Sequence, residues 1–278
     1  MNQITRFHDA ASDGIDEANG ALHKAMLADD RAYFRASTSV ESIEGWKLRI
    51  PTWSRVADTG CIVEPPMGAR DYPSGFTDLC RDRGIETLRF YLPGPPSLHE
   101  SWSAAFARNE EIAMGCSLGH EEDMSWPEEV SVDRLNASSD PIKTALFESD
   151  EKRPDGKPSL AADFVLMERA KIEAGYMRGY LIAYRGMAAG CFGISLDQPG
   201  LVRLKNLFLA PRYRGRGLAR LAIRFAANLG VRNERHMLGA FAIKAHGTQK
   251  LYEGCGLHVV GSQTEMTARR SLLAKGER

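Results

Sequence analysis

The sequence has no excess of charge of either sign: 36 Lys plus Arg face 36 Asp plus Glu, for a formal net charge of zero. That balance removes any global pull toward nucleic acid or an anionic membrane, so an anion site has to come from a local basic patch. Paired cysteines are missing too. Cys61, Cys80, Cys116, Cys191 and Cys255 are odd in number, widely spaced and without a CxxC pair. This argues against a disulfide framework or a zinc site and for a reducing, cytoplasmic interior. The most apolar window, Gly179 to Leu196, is split by Arg185-Gly186 and reads as two strands around a turn rather than a membrane span. The N-terminal segment soon meets Asp9, Asp13, Asp16 and Glu17 and has no apolar stretch of signal-peptide type. Repeats of solenoid type and low-complexity tracts are also lacking.

What is present is an ordinary globular composition. The 278 residues are 43% hydrophobic and 26% charged, enough for about two domains or one large one. Trp126 to Leu160 is the natural boundary, with Pro127, Pro141, Pro154, Pro158 and the polar run Asn136 to Asp140. Such a stretch buries little and predicts a linker over 127–157, with room for a helix around Asp140 to Phe147. It separates an accessory α/β unit at 1–126 from the chemistry-bearing unit at 158–278.

Beyond the boundary the periodicity is clear. Helical spacing runs from Leu160 to Ala174, strands are predicted over Met177 to Tyr184, Met187 to Leu196 and Leu201 to Leu209, and a helix follows over Leu218 to Leu229. A strand over His236 to Ile243, a short helix over Ala245 to Glu253 and a last strand over Leu257 to Met266 complete the unit. In the first half, helical spacing lies within Ile15 to Phe34. Strands fit Glu44 to Ile50, Thr59 to Glu64, Ile85 to Leu92 and Glu111 to Leu118, and helices fit Ser74 to Arg83 and Ser97 to Asn109.

One stretch carries chemistry. Leu207-Phe208-Leu209-Ala210-Pro211-Arg212-Tyr213-Arg214-Gly215-Arg216-Gly217-Leu218-Ala219-Arg220 takes a strand through a proline and two glycines directly into a helix. The first turn of a helix has unpaired N–H groups and partial positive charge, and glycines let a bulky anion come close to the backbone. With four arginines nearby, the bend is a pyrophosphate cradle. It is not a Walker A loop, because no Lys-Ser or Lys-Thr follows the glycines. A dinucleotide fingerprint also fails, since its third glycine position falls on Arg220.

The stretch resembles the acetyl-CoA loop of the GNAT N-acetyltransferase superfamily, whose signature is Q/R-x-x-G-x-G/A. Arg214-Gly215-Arg216-Gly217-Leu218-Ala219 matches it, and Leu251-Tyr252-Glu253-Gly254-Cys255-Gly256-Leu257 resembles the family's downstream L-Y-E-x-x-G-F segment. The resemblance spans Leu160 to Met266 and implies an α/β (α+β) fold. Its centre would be a mixed, mostly antiparallel sheet with helices on both faces. The order of elements in the first half suggests a second, degenerate unit of the same kind, as in tandem members; its turn at Pro65 to Pro73 lacks the loop signature, so it would roof the acceptor cleft without binding coenzyme.

The resemblance also implies roles. Backbone groups of Leu207, Phe208 and Leu209 would hold the pantetheine arm like an added strand, and N–H groups of Arg214, Gly215, Arg216, Gly217, Leu218 and Ala219 the diphosphate. Tyr252 would be the general acid for the departing thiolate. Acetyl-CoA would be the acyl donor, with direct transfer to a primary amine of a small molecule and no metal. Two family features are missing: an Asn before the L-Y pair is replaced by Ala245, and the strand Arg203-Leu204-Lys205-Asn206-Leu207 lacks the family's Glu. The general base is therefore open: Asn206 could hold a water but cannot itself take a proton near neutral pH, and an amine already partly neutral or a carboxylate from the other half are the alternatives. His120-Glu121-Glu122-Asp123 reads as a solvated strand end, His246 as a surface histidine and Cys255 as core filling. Nucleic-acid and membrane partners are not expected, and a homodimer is left open. Rival readings are a protein lysine or N-terminal acetyltransferase and a non-catalytic acyl-CoA-binding sensor.

Overall fold

Eleven strands pair into one sheet in the computed structural model, which describes residues 12–36, 38–51, 61–66, 75–85, 87–93, 107–121, 126–150 and 159–269. The strands are β1 (Thr38–Ile43), β2 (Trp46–Pro51), β3 (Ile62–Glu64), β4 (Thr87–Pro93), β5 (Ala107–Ser117), β6 (Val130–Arg134), β7 (Arg178–Tyr184), β8 (Met187–Ser195), β9 (Leu201–Leu209), β10 (Met237–Ile243) and β11 (His258–Arg269). The helices are α1 (Ser12–Arg35), α2 (Phe76–Asp82), α3 (Asp140–Glu148), α4 (Ala161–Glu173), α5 (Leu218–Arg232) and α6 (Gln249–Glu253).

The sheet order is β1-β2-β3-β4-β11-β5-β10-β9-β8-β7-β6. Only β3–β4 and β9–β10 run parallel; every other pair is antiparallel. Reading inward from either edge gives the same pattern, an antiparallel set followed by one parallel pair. At the middle the halves exchange strands. β5, from the first half, pairs with β10, and β11, from the second, pairs with β4. Residues of the first half therefore lie beside the strands that carry the loop motif.

Period-two alternation assigns the faces. On β9, Val202 and Leu204 join the core under α5, with Leu218, Ala222, Ile223 and Ala226. Leu201 instead meets Leu22 and Met26 of α1. Arg203 and Lys205 follow Leu201 onto the α1 face and pair with acids of that helix. Close approach of α1 needs glycines: a Cβ on Gly115 would come 2.3 Å from Leu22 and one on Gly239 2.9 Å from Met26. A separate cluster of Trp46, Leu48, Phe76, Cys80, Leu88, Phe90 and Met266 fills the first half.

Several expectations change. Residues 130–148, read as part of a linker with a helix around Asp140 to Phe147, supply that helix as α3 and also β6, and both are integral to the sheet and its cover. Only Val130 of β6 is buried, because it is an edge strand, and Pro141 sits in the first turn of α3, where proline is tolerated. β1 is an addition; it turns into β2 through Glu44-Gly45, both at positive φ, as a tight hairpin requires. The helix expected over Ala245 to Glu253 splits into a 3-10 turn, Lys244–His246, and α6, because Gly247 adopts φ 65° between them. α5 runs past Gly230, which packs on Val202 and Leu118 instead of ending the helix. The helix expected over Ser97 to Asn109 and the turn over Pro65 to Pro73 fall largely outside the described residues, and 107–109 belong to β5. No described helix is long and apolar enough to cross a membrane.

Candidate active site

The bend between β9 and α5 has the geometry its glycines call for. Gly215 lies at φ 76°, and Gly217, the N-cap of α5, at φ 79°. Both are left-handed conformations that cost glycine nothing. A Cβ built on either would meet no atom within 4 Å, so the space above the bend is open. The first backbone bond of α5 runs from the Leu221 N–H to the Gly217 carbonyl, 3.2 Å. The amides ahead of it lie outside the helical ladder, at the positive end of the helix dipole. Arg214 is held in place: its Nε donates to the Leu209 carbonyl at 3.0 Å and its guanidinium pairs with Asp150. The Arg212 guanidinium lies over the Tyr213 ring and that of Arg216 over Tyr184.

Just before the bend, β9 and β10 part. Their parallel register holds only from Leu201 opposite Met237 to Leu204 opposite Ala240. Beyond it β9 stays with β8 to Leu209, while β10 stays with β5 to Ile243. A bulge drives the divergence: between Cys191 and Gly193 of β8, β9 runs from Phe208 to Lys205, and Asn206 takes φ 51°. The Ala210 N–H donates to the Ala189 carbonyl at 3.0 Å, so by strand alternation the polar groups of Leu209 face the gap. Those of Phe208 face β8 instead, and its ring packs 5.1 Å from that of Phe147 in α3. Leu209 is thus presented to the gap, its carbonyl accepting from Arg214 Nε, and Phe208 is not; Leu207 lies within the bulge and lines the cavity.

A cavity of about 420 Å³ occupies the gap. Tyr252 lines it from the α5 side, where the ring belongs to the core beside Leu218 and Ala242. Thr248 and the exposed His246 line it nearby, and α1, α4, β4, β5 and β11 close it on the opposite face. Burial pushes the Tyr252 phenol up to about 12, against a downward pull from Arg203 and with a further rise from Cys255. The group is therefore a neutral O–H donor throughout the neutral range.

The α1 face of the cavity is strongly charged. Lys205 Nζ lies 2.7 Å from Asp29 and 2.6 Å from Asp30, and Arg203 lies 3.2 Å from Asp30. Burial alone would raise the Asp30 carboxyl, but Lys205 and Arg203 outweigh it and hold Asp30 below its ordinary value. Gln263 Nε2 donates to Asp30 at 2.9 Å and to Glu111 at 2.6 Å. Glu111 is different: burial raises its carboxyl to about 7, the Gln263 bond and the more distant charge of Arg203 only partly offsetting this, while Asp30 and Glu265 raise it further. Lys171, whose ammonium donates to the Ala36 carbonyl, is lowered to about 8 by burial and by Lys205. Asn206 donates to Glu168 at 2.6 Å, and Glu168 pairs with Lys143.

Sequence reasoning missed Asp29, Asp30, Glu111 and Gln263, which reach the site through α1 and the exchanged strands. Glu121 pairs with Arg232 at the surface, and Cys255 is a half-buried thiol raised by burial despite nearby Arg220. All five cysteines are free. Among the described residues no three His, Cys, Asp or Glu are grouped to hold a metal ion.

The family model described as the acetyltransferase (GNAT) family matches residues 144–257, from α3 to the start of β11. This part of the chain is a GNAT acetyltransferase domain. By that domain the protein is an acyltransferase. No curated protein matches the chain in sequence. Among solved structures it is similar to a GCN5-related N-acetyltransferase from Kribbella flavida, at 9% identity and TM-score 0.55, covering 90% of this chain and 95% of that one. A GCN5-related N-acetyltransferase from Sphaerobacter thermophilus has 13% identity and TM-score 0.53, covering 92% and 93%. A tandem GNAT protein from the clavulanic acid biosynthesis pathway has 12% identity and TM-score 0.53, covering 88% and 87%. At such identities the likeness concerns the fold, and it extends beyond the GNAT domain to most of the chain.

Proposed function

We propose that the protein transfers an acetyl group from acetyl-CoA directly to a primary amine of a small molecule, in a ternary complex. The observation that carries this reading is the continuity of the site. An open glycine bend at the N-terminus of α5 adjoins a gap between β9 and β10, and the gap leads to a cavity lined by Tyr252.

The residues fit the donor. Amides from Arg214 to Ala219 would hold the diphosphate, and the backbone of Leu207 and Leu209 would bind the pantetheine amides as a neighbouring strand does. Phe208 would support that arm only from behind. Acetyl-CoA supplies the activated acetyl thioester. The amine nitrogen forms the new C–N bond, the C–S bond breaks, and the Tyr252 O–H stands ready to protonate the departing sulfur.

The cavity favours a small acceptor over a lysine on a protein surface. It is closed on the α1 face by residues of both halves, among them Tyr33, Ile62, Arg89 and Phe164.

Titration calorimetry with acetyl-CoA, combined with thiol release against a panel of primary amines, tests the reading. Binding with amine-dependent thiol release is expected. Binding without turnover on any amine would instead make the chain an acyl-CoA sensor, and absence of binding would end the assignment.

A further inference from the structure

Transfer to an amine needs a base, because an alkylamine arrives as an ammonium ion, and β9 of the GNAT domain offers no carboxylate. Three carboxylates line the cavity: Asp30, Glu111 and Glu265. Two are answered by cations. Asp30 is met by Lys205 and Arg203, and Glu265 lies 3.6 Å from Arg89. Glu111 takes part in none of the ion pairs among the described residues, and the hydrogen bond it accepts comes from the uncharged amide of Gln263.

We propose that Glu111, which the first half delivers on the exchanged strand β5, is the general base that deprotonates the acceptor amine; this rests on the acetyl-transfer reading above. Glu111 stands opposite Ile243 of β10 and Gln263 of β11. It reaches the cavity from the α1 face, whereas Tyr252 reaches it from the α5 side. Base and acid therefore meet the reacting atoms from opposite sides of the sheet. Gln263 bonds Glu111 and Asp30 at once, so the orientation of the Glu111 carboxylate is tied to the salt-bridged end of α1.

The proton balance closes. Glu111 takes one proton from the ammonium ion, and the neutral nitrogen attacks the thioester carbonyl. The nitrogen loses a second proton as the amide forms, while the thiolate gains one from Tyr252. Of the two protons the nitrogen loses, one replaces that given by Tyr252 and the other leaves to solvent through Glu111.

Of the charged groups that line the cavity with Glu111, Asp30 and Glu265 raise its carboxyl and Arg203 lowers it. Asp30 and Tyr33 come from α1, Arg203 and Lys205 from β9, and Glu265 from β11. Lys171, Arg89, His246 and Tyr252 line the same cavity. Burial places the carboxyl at about 7, near the working pH at which a base is most effective.

Two measurements test the assignment. The first needs no acceptor: carbon NMR of glutamate-labelled full-length protein, with Glu111→Gln to identify the resonance, should show a carboxyl titrating near neutrality. Titration in the ordinary carboxylate range would overturn the proposal. The second compares wild type and Glu111→Gln in thiol release with benzylamine, charged at neutral pH, and with aniline, which is not. The variant should lose about 10²-fold or more with benzylamine and little with aniline, with Glu111→Asp partly restoring the former and acetyl-CoA affinity unchanged by calorimetry. Equal losses on both amines, or none on benzylamine, would overturn the base while leaving acetyl transfer intact. Failure of wild type to bind acetyl-CoA would fall on the acetyl-transfer reading, and the NMR titration reads Glu111 independently of it.

Discussion

Glu111→Gln should stabilise the protein above neutral pH even as it slows the reaction. Burial raises the folded-state carboxyl from its ordinary 4.5 to about 7, so between those values the folded protein holds a proton that the unfolded chain has released. Stability then falls as pH rises: the contribution is intact below 4.5 and is lost as pH climbs through 7. Over that interval the loss amounts to about 3 kcal/mol, reached by pH 8, with less than about 1 kcal/mol already lost at pH 5. Glutamine keeps the shape, can still hydrogen-bond Gln263, and carries no charge to bury. Urea unfolding of both proteins at pH 5 and pH 8 reads the effect directly. The stability gap in favour of the variant should widen by about 2 kcal/mol between the two conditions. A gap that does not change with pH, or a variant less stable than wild type at pH 8, would refute the claim that Glu111 is a desolvated carboxylate outside any ion pair.

Other consequences follow from the same geometry. Tyr252→Phe should lower kcat by about 10²–10⁴-fold while leaving the acetyl-CoA dissociation constant unchanged; steady-state thiol release and calorimetry separate the two. Asp30→Ala should destabilise the fold by about 3–5 kcal/mol, because it strands Arg203 and Lys205 in the interior with only Asp29 to answer them; urea unfolding measures it. Gly190→Ala should cost about 1–3 kcal/mol, since its Cβ would come 2.3 Å from the Phe208 carbonyl oxygen on β9.

The parts of this molecule legible in the sequence are those whose physics is local. The bend from Pro211 to Ala219 is one. Positive φ at Gly215 and Gly217 and a helix starting at Leu218 are consequences of a few adjacent residues, and spacing alone exposes them. The strands β7 to β10 and the stripe of α5 are equally direct, because each buries one face. Elements with little burial are harder to read. Only Val130 marks β6, and β1 has no fully buried residue, although the Glu44-Gly45 turn after it is a usable signal. Glu111 and Asp30 lie beyond such reasoning. Glu111 sits in the first half, and nothing near it in the sequence announces that β5 will pair with β10 and β11. Asp30 looks like one more polar residue on an amphipathic helix until α1 docks over Arg203 and Lys205. Charges become a site here only through strand exchange and long-range packing.

The central claim is that main-chain amides between Pro211 and Ala219 clasp the diphosphate of the coenzyme. Amide NMR of the labelled protein, titrated in parallel with CoA and with pantetheine, addresses it at the atoms concerned. The account predicts large shifts of the Gly215 and Gly217 N–H resonances with CoA and none with pantetheine, which lacks the diphosphate. Unmoved glycine resonances in the presence of saturating CoA would contradict it.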